Sequence, residues 1–522
     1  MTEYASSSAE HLGSFWREAT AHPDRIAVIN PNKDEITFGE LHKVCNRISN
    51  GLVTMGLRPG EGIAAALPND HLMPAVYLAA HQVGLYFTPL NYHLTAAEMA
   101  YVVTDSETRA FFADSSLPAA SEAAASAGLG RDQCLSRGSL PGFQDLETWM
   151  AAQSGLPPAN RIAGQRMLYT SGTSGRPKGV RRRLPVVGPD EAAAQASQNH
   201  RRVYRWRETG SVHLITGPLY HAAPLAYSIQ SLHLGQTVVV MGRWDAEQTL
   251  ALIERYRVTS VHLVPTMMVR LLRLPDEIKG RYDLSSLQQV LHAAAPCPPA
   301  VKVEMLDWWG PIVDEYYAAS EGGGTFATAE EWLQRPGTVG SPQGSYKIRI
   351  LREDGTDADP LEPGMIYFSL LEDFAYFKDP DKTAANRSGD WFTVGDIGYL
   401  DDDNYLYLCD RRADTVISGG VNIYPAEVEA VLLTHPAVSD VAVIGVPDDE
   451  YGEAVKAVVV PTSGSVAPDL DAGLIEYCRA RLAHFKCPRS VDFRETLPRY
   501  DSGKLYRRRL RDEYWKGTER RI

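Results

Sequence analysis

Short apolar runs rich in β-branched residues alternate with segments of helical periodicity along most of this chain. Residues 237–241 and 260–264 are two such runs, and residues 246–256 between them place Leu250 and Ile253 on one face of a helix. Further runs lie at residues 26–29, 62–67 and 289–293. This alternation predicts an α/β protein with a substantial amount of parallel sheet.

The length of 522 residues is too great for one ordinary compact core and favours at least two domains. Hydrophobic residues make up 44% of the chain and charged residues 22%, which is the balance of a globular protein. The 65 acidic and 52 basic residues give a net charge of -13. This charge disfavours a general nucleic-acid-binding role, although a local basic patch could still bind an anionic ligand.

The N-terminal sequence and the cysteines bear on the location of the protein. The first 30 residues lack the basic start and apolar core of a secretory signal, and no apolar run is long enough to cross a bilayer. The six cysteines form no Cys-x-x-Cys pair and have no zinc-ligand spacing. We therefore expect a cytoplasmic protein with reduced thiols and no transmembrane segment, and the sequence leaves a homodimer open.

A change of pattern near residue 410 marks the predicted domain boundary. Residues 397–408 predict a hairpin around an acidic turn, and a new pattern begins after Asp410. Pro425, followed by Ala-Glu-Val-Glu, predicts the start of a helix. The sequence therefore predicts a large N-terminal domain with mixed α/β sheets over residues 1–410, and a small α+β C-terminal domain over residues 411–522.

Residues 168–180, Leu-Tyr-Thr-Ser-Gly-Thr-Ser-Gly-Arg-Pro-Lys-Gly-Val, are rich in groups that bind phosphate. They include several hydroxyls, glycines that permit unusual backbone angles, and the cations Arg176 and Lys178. A Walker A loop would place Gly-Lys where this chain has Pro-Lys-Gly. From composition alone, such a stretch is more often a flexible surface loop. The candidate phosphate-binding residues are Thr170, Ser171, Gly172, Thr173, Ser174, Gly175 and Lys178.

The same stretch resembles the phosphate-loop signature of the adenylate-forming superfamily, which includes acyl-CoA synthetases, adenylation domains of peptide synthetases and luciferases. Further motifs of this family follow across essentially the whole chain. Residues 316–321 resemble its Tyr-Gly-x-Thr-Glu segment, with Ala318 replacing glycine and Ser320 replacing threonine. The resemblance implies that Tyr317 stacks on adenine, Ser320 contacts phosphate and Glu321 holds Mg²⁺, which prefers hard oxygen ligands. It also assigns to the nucleotide site Ala294, Ala295, Pro296, Tyr316 and Ala318.

Two later segments resemble the family's ribose-binding motif and its inter-domain hinge. Asp396, at the end of Asp-Trp-Phe-Thr-Val-Gly-Asp, would accept hydrogen bonds from the ribose hydroxyls. In residues 410–429 the resemblance assigns Asp410 to the hinge and Arg411 to the ribose or phosphate. The small domain would be mobile, and its rotation would bring a glycine loop to the pantetheine arm of CoA. The implied CoA-binding residues are Ser418, Gly419 and Gly420.

Residues 497–504, Leu-Pro-Arg-Tyr-Asp-Ser-Gly-Lys, resemble the terminal motif that carries the family's catalytic lysine, here Lys504. A lysine near a C-terminus is otherwise almost always a solvated charge, and we interpret the neighbouring Arg507, Arg508 and Arg509 in that way. The resemblance implies ATP, Mg²⁺ and coenzyme A as cofactors. The carboxylate would attack the α-phosphorus of ATP, pyrophosphate would leave, and the thiol would then displace AMP.

The residues beside the predicted nucleotide site bear on which acid is activated. His221 lies in a preceding family motif and would border the reacting carboxylate, whereas the alternative is a hydrogen-bonded structural histidine. The predicted acyl pocket is lined by Tyr220, His221, Ala222, Gly322 and Gly323. Mostly small residues favour a large apolar acid, such as a medium or long fatty acid or a sterol or bile-acid side chain. An aryl-CoA ligase, an enzyme that loads a carrier protein and a non-catalytic nucleotide-binding protein stay open as alternatives.

Overall fold

The computed structural model describes residues 13–170, 177–204, 210–371, 373–448, 450–462, 466–499 and 505–516. Helices in these ranges are α1 (Phe15–Ala21), α2 (Phe38–Thr54), α3 (Leu72–His81), α4 (Ala96–Asp105), α5 (Pro118–Ser126), α6 (Leu146–Ala151), α7 (Pro189–Tyr204), α8 (Ala222–His233), α9 (Ala246–Tyr256), α10 (Pro265–Leu272), α11 (Asp276–Lys279), α12 (Pro299–Trp309), α13 (Ala329–Gln334), α14 (Pro380–Ala385), α15 (Pro425–Leu433), α16 (Leu470–Arg479) and α17 (Arg507–Tyr514).

The strands of the first half of the chain are β1 (Ile26–Ile29), β2 (Glu35–Thr37), β3 (Gly62–Ala66), β4 (Tyr86–Pro89), β5 (Thr108–Asp114), β6 (Cys134–Arg137), β7 (Gln144–Asp145), β8 (Gln165–Arg166), β9 (Leu168–Thr170), β10 (Lys178–Arg182), β11 (Val212–Ile215), β12 (Thr237–Val240) and β13 (Ser260–Leu263). The second half contains β14 (Gln289–His292), β15 (Val313–Ala319), β16 (Gly322–Ala327), β17 (Ser341–Pro342), β18 (Ile348–Leu351), β19 (Gly364–Ser369), β20 (Phe374–Tyr376), β21 (Arg387–Ser388), β22 (Trp391–Phe392), β23 (Asp396–Leu400), β24 (Leu406–Arg411), β25 (Val416–Ser418), β26 (Val421–Ile423), β27 (Val438–Asp448), β28 (Gly452–Pro461) and β29 (Ser490–Phe493).

The chain divides into two compact units. Unit 1 consists of Met1–His262, Pro275–Gln289 and Glu372–Thr383. Unit 2 consists of Leu263–Leu274, Val290–Leu371 and Ala384–Ile522.

Parallel sheets form most of unit 1. One sheet has the strand order β7-β6-β5-β3-β4-β8, and all its pairs are parallel. Strands β13, β11, β12 and β1 are also paired in parallel, and β2 adds an antiparallel edge. Every residue of β3 is buried, which is typical of a strand covered by helices on both faces.

Antiparallel pairing dominates unit 2. Its strands β15, β16 and β17 form antiparallel pairs, while β14 pairs in parallel with β15. A second sheet has the order β21-β22-β19-β23-β24, with β18 on β19. A third has the order β26-β25-β28-β27, with β29 parallel to β28, and α15 and α16 pack on it through Val428, Leu432 and Leu474. The predicted fold class, α/β with mixed sheets and an α+β C-terminal part, is confirmed.

All six cysteines lie in the described ranges and are free thiols. Burial raises the pKa of every one of them, to about 12 for Cys134, Cys409 and Cys478. Within the same ranges, no helix is both long enough and apolar enough to span a bilayer.

Candidate active site

The predicted site residues are divided between the two units. Unit 1 contains Thr170, Lys178, Tyr220, His221 and Ala222. Unit 2 contains Ala294, Ala295, Pro296, Tyr316, Tyr317, Ala318, Ser320, Glu321, Gly322, Gly323, Asp396, Asp410, Arg411, Ser418, Gly419 and Gly420. Outside the described residues lie Ser171, Gly172, Thr173, Ser174, Gly175, Arg176 and Lys504.

The predicted phosphate loop connects two paired strands. Lys178 of β10 is the antiparallel partner of Thr170 in β9, and Val180 pairs with Leu168. The pairing fixes both ends of the segment between these strands, so Lys178 stands at the point where the loop rejoins the sheet.

Lys178 is paired with an aspartate that the sequence analysis missed. Its Nζ lies 2.9 Å from Oδ2 of Asp379, and the hydrogen bond to Asp379 raises the pKa of the lysine. Oδ1 of the same carboxylate accepts the backbone N–H of Lys382 in the first turn of α14, at 3.0 Å. Asp379 therefore caps a helix and contacts the phosphate-loop lysine. The sequence signal was an aspartate directly before a proline that opens a helix.

His221 directly precedes helix α8, which starts at Ala222. Its ring lies 4.4 Å from the ring of Tyr220, which in turn meets Tyr92 edge-on at 5.1 Å. Tyr220 is buried, whereas His221 and Ala222 are half-buried. The rings of Tyr220 and His221, two of the predicted acyl-pocket residues of unit 1, therefore contact each other at the start of α8, and the ring of Tyr92 packs against that of Tyr220.

A tight turn between β15 and β16 carries the phosphate and magnesium candidates, and the adenine candidate Tyr317 lies in β15 before it. Ala319 pairs with Gly322, so Ser320 and Glu321 form the two-residue turn. Glu321 is buried, with 8% of its surface exposed. Gly323 has a left-handed φ of 72°, and a Cβ there would lie 2.5 Å from the ring of Phe368. A larger residue at this turn would therefore be excluded by both backbone and space.

Asp396, Arg411 and Tyr317 form a compact polar cluster. Asp396 and Arg411 are directly opposite each other in the β23–β24 pair, and Arg411 Nε lies 3.2 Å from Oδ1 of Asp396. The Tyr317 hydroxyl donates to Oδ2 of Asp396 at 2.5 Å. Burial, followed by the Asp396 charge, raises the pKa of Tyr317, so its hydroxyl keeps its proton.

One carboxylate oxygen of Asp396 is buried in this cluster and is available to accept a further hydrogen bond. Its residue is 7% exposed, and Oδ1 has no hydrogen bond of acceptable geometry within the described residues despite the nearby Arg411. A buried carboxylate oxygen in this state gains free energy from a donor on a bound molecule. Two neighbouring ribose hydroxyls are donors that suit it.

The carboxylate of Asp410 accepts a backbone hydrogen bond at the start of helix α15. Its carboxylate accepts the backbone N–H groups of Arg411 at 2.8 Å and Ala426 at 3.0 Å. The pKa of Asp410 is raised to about 6, because the effects of burial and of the Glu429 charge outweigh the lowering by Arg507. The predicted hinge residue is therefore a buried carboxylate at a helix N-terminus, where the helix dipole favours its charge.

The predicted CoA-binding loop is a two-residue hairpin turn. Ser418 of β25 pairs with Val421 of β26, and Gly419 and Gly420 between them have φ of 58° and 79°. Two consecutive left-handed residues are what a tight hairpin of this type requires. Ala294, in the segment after β14, also has a left-handed φ, of 76°, and is exposed. Such strain in a residue with a side chain is concentrated at ligand sites.

The interpretation of Arg507 as a solvated charge is wrong. Only 15% of its side chain is exposed, and it pairs with Glu429, Asp414 and Asp410. Its neighbour Arg508 is 44% exposed and pairs with Asp512 within the same helix, as expected of a surface charge. Sequence alone gave no signal for this difference, because Glu429 lies 78 residues away from Arg507.

Comparison with known proteins identifies the family. The AMP-binding enzyme family matches residues 15–370, and the AMP-binding enzyme C-terminal domain matches residues 427–504. The long-chain-fatty-acid–CoA ligase FadD13 of Mycobacterium tuberculosis is 30% identical, over 97% of this chain and 99% of the relative. The 2-succinylbenzoate–CoA ligase of Bacillus licheniformis is 32% identical, over 96% and 99%.

A solved structure agrees with these relatives. The o-succinylbenzoate CoA synthetase of Bacillus subtilis, in complex with an acyl-adenylate intermediate, superposes with a TM-score of 0.79 at 29% identity, over 95% of this chain and 97% of that one. The predicted resemblance is thus confirmed, as is the prediction of an AMP-forming acid–thiol ligase. The chain belongs to the AMP-binding enzyme family, as an acyl- or aryl-CoA ligase of the adenylate-forming superfamily.

Proposed function

We propose that this ligase activates a large apolar carboxylic acid, a medium or long fatty acid or a sterol or bile-acid side chain, and transfers it to CoA. As a ligase of this family it uses ATP with Mg²⁺ and takes CoA as its co-substrate. The single observation that supports the nucleotide site best is the buried Oδ1 of Asp396, which is left with acceptor capacity beside Tyr317 and Arg411.

Three residues of unit 2 divide the recognition of ATP in this proposal. Asp396 accepts the ribose hydroxyls, and the ring of Tyr317 supports the adenine. Tyr317 is fixed for that task because its hydroxyl is bonded to Asp396 and its ring lies 5.9 Å from Phe368. Arg411 supplies positive charge to the ribose or α-phosphate. Beside them we assign Ala294, Ala295, Pro296, Tyr316, Ala318 and Ser320 to the nucleotide.

Lys178 serves the phosphates of ATP together with residues 170–175. Its ammonium group now pairs with Asp379, so phosphate must compete with a carboxylate for it. The lysine side chain is 31% exposed, which leaves it reachable by an anionic ligand. Glu321 is the proposed protein ligand of the Mg²⁺ that accompanies ATP, since magnesium takes few protein ligands and fills the rest of its shell with water and phosphate.

Lys504 is the proposed catalyst of the first half-reaction. The acid carboxylate and the α-phosphate are both anions, so their approach requires a cation aligned with the bond that forms. The carboxylate oxygen attacks phosphorus, the bond to pyrophosphate breaks, and acyl-adenylate results. In the second half-reaction the CoA sulfur attacks the acyl carbon and AMP leaves. His221 is the proposed neighbour of the reacting carboxylate.

We propose that residues 1–410 and 411–522 are separate domains joined at Asp410. Rotation at Asp410 moves Lys504 away from the reacting carboxylate and opens a path for the thiol of CoA. The two-glycine turn supports this role for Ser418, Gly419 and Gly420, because a turn without side chains lets pantetheine lie against the backbone. Asp410 connects the end of β24 to the start of α15 through its hydrogen bonds, which places it where a change in backbone angle would redirect the following helix.

The apolar acid is supported by the residues at the two predicted pocket segments. Tyr220 and Ala222 offer apolar surface in unit 1, and Gly322 and Gly323 add no polar side chain in unit 2. The ring of Phe368 fills the place that a side chain at Gly323 would take, so an apolar group lies directly beside this segment. The relatives act on both fatty and aromatic acids by name, so an aryl acid is the alternative substrate.

Pyrophosphate release measured across fatty acids of 6 to 18 carbons, a bile acid and aromatic acids tests this proposal. We expect the highest kcat/KM among the fatty or bile acids, with turnover that requires CoA. Preference for aromatic acids would instead establish the aryl-CoA ligase, and release of acyl-AMP without use of CoA would favour a carrier-protein acceptor.

Lys504→Ala tests the catalytic assignment. We expect adenylation to fall about 10²-fold or more, because the developing charge loses its cation, while thioester formation from supplied acyl-AMP stays near the wild-type rate. Unchanged pyrophosphate release in Lys504→Ala would refute the assignment.

A cytoplasmic location is part of the same proposal and is supported by six free, buried or half-buried thiols. Assembly as a homodimer stays a prediction, which light scattering after size-exclusion chromatography would measure.

A further inference from the structure

Two arginines flank the segment that carries Lys504. Arg499 precedes it and forms an antiparallel bridge with Leu505, which follows it. The backbone N–H of Tyr506 donates to the carbonyl oxygen of Pro498 at 2.8 Å. Residues 498–499 and 505–506 therefore lie side by side as the base of the segment that carries Lys504, and Arg507 comes one residue after that base.

Arg499 attaches this base to strand β27. Its Nε and Nη2 donate to the two carboxylate oxygens of Asp440, at 2.7 and 2.5 Å. The side chains are only 20% and 25% exposed. A forked guanidinium–carboxylate pair with limited access to water fixes both distance and orientation.

Arg507 attaches the other side of the base. Its Nη2 and Nε donate to the two oxygens of Glu429 at 2.5 and 3.3 Å. Glu429 is itself held to β27, because its Oε1 accepts the backbone N–H of Val443 at 2.7 Å. Both arginines thus anchor this base to the same strand.

Arg507 also reaches the proposed hinge. Its Nη1 lies 3.9 Å from Oδ1 of Asp410 and 3.6 Å from Oδ2 of Asp414. One side chain therefore faces the hinge carboxylate and the base of the lysine segment at the same time.

We propose that Arg499 and Arg507 are positioning residues for Lys504, which fix the described residues on either side of it to β27 so that the lysine travels with the small domain. The proposal rests on the function assigned above to Lys504. A displacement of about 1 Å at a reacting group can cost roughly 10²-fold in rate. The two anchors therefore control adenylation without touching substrate.

The test compares the two half-reactions in the full chain. For Arg499→Met and Arg507→Met we expect adenylation, measured by pyrophosphate release, to fall between about 10-fold and 10²-fold. In Arg499→Met, thioester formation from supplied acyl-AMP should stay within about twofold, since that step proceeds after Lys504 has left. Arg499→Met alone tests the second step, because Arg507 also contacts the proposed hinge residue Asp410. Arg508→Met, on the exposed face of the same helix, is the matched control and should leave both steps unchanged.

Conservative variants separate positioning from folding. Arg499→Lys and Arg507→Lys keep the charge but lose the fork, so adenylation should fall partway, with circular dichroism and the melting temperature close to wild type. These variants decide the matter if a methionine variant does not fold. Equal losses in both half-reactions of the Arg499 variants would overturn the proposal, because they would indicate a general structural role.

Lys504→Ala, assayed in parallel, separates the catalytic role of Lys504 from the positioning role of the two arginines. If it keeps full adenylation, the catalytic assignment itself fails. If it loses adenylation while the arginine variants adenylate at the wild-type rate, the positioning proposal alone is refuted.

Discussion

The two units bury titratable groups in opposite ways. Unit 1 encloses histidines that burial keeps neutral, whereas unit 2 encloses a lysine and a glutamate as a pair and a cluster of carboxylates around Arg507. Unit 1 thus buries titratable groups in their neutral form, whereas unit 2 buries charged groups as pairs. We therefore expect acid to destabilise unit 1 most, and loss of one partner of a pair to destabilise unit 2 most.

Three histidines represent the first solution. Burial lowers the pKa of His213 and His233 to about 3 and that of His262 to about 4. Nδ1 of His213 lies 2.9 Å from Oγ of Ser260, and Nδ1 of His233 accepts the backbone N–H of Phe15 at 3.0 Å. These groups are accommodated only while they carry no charge.

The second solution lies between α12 and β15. Nζ of Lys302 is 2.8 Å from Oε2 of Glu315, and the lysine side chain is 0% exposed. The ammonium also lies 4.8 Å from the ring centroid of Trp332. Burial raises the pKa of Glu315, and the charge of Lys302 lowers it. Each charged group is therefore stable in the interior only while the other is present.

The largest effect that we expect is the acid sensitivity of unit 1. The folded pKa values of these three histidines lie below the unfolded value of about 6.5. Their stabilisation is therefore fully present above pH 6.5 and is lost progressively as pH falls from there to the folded values, because the unfolded state takes up protons first. Between pH 7 and pH 5 each costs roughly 2 kcal/mol, or about 6 kcal/mol together. Urea titration with pulse proteolysis, with cleavage sites assigned to each unit, measures this loss.

A matched pair of variants checks the origin of the acid effect. His233→Gln should reduce the pH dependence of unit 1, whereas His22→Gln at an exposed position should leave it unchanged. Equal pH dependence in both variants would rule out His233 as a cause of the acid effect.

The next largest effect belongs to unit 2. Lys302→Met leaves the buried Glu315 without its lysine, with His292 Nε2 at 3.4 Å as its other neighbour, and should lower the free energy of unfolding by about 3–5 kcal/mol. The double variant Lys302→Met/Glu315→Leu should recover most of this loss, since two apolar residues replace two charges. Arg281→Met, in an exposed pair with Glu247, is the control and should change stability by less than about 1 kcal/mol. A small loss in Lys302→Met would mean that the pair is not a buried one in solution.

The smallest effect concerns Asp410 and has the opposite sign to that of the histidines. Its folded pKa of about 6 is raised above the unfolded value of 3.8, so its contribution is present at low pH and is lost as pH rises through about 6. Between pH 5 and pH 7 wild type should lose about 1 kcal/mol relative to Asp410→Asn. Urea titration of unit 2 in both proteins measures the difference, and parallel curves would contradict the raised pKa.

The candidate site residues that could be predicted from the sequence are those that lie within contiguous motifs. Asp396 and Arg411 were named from separate segments, and their pairing across β23 and β24 explains why both segments are needed. Lys302 and Glu315 gave no signal, because a lysine in a helix is ordinarily exposed. Their burial depends on how α12 packs on β15, which local periodicity does not encode. For the same reason, the pairing of Arg507 with Glu429 could not be predicted from the sequence.

The protonated state of the native thiols makes the protein ready for site-specific dye attachment. Maleimides react with thiolates, and thiols with a pKa near 12 present almost none at neutral pH. Cysteines introduced at exposed positions such as Val186 and Val466 would therefore be labelled in preference to all six native ones. A fluorophore pair on one molecule could then follow the rotation of the small domain during turnover without removal of a native cysteine.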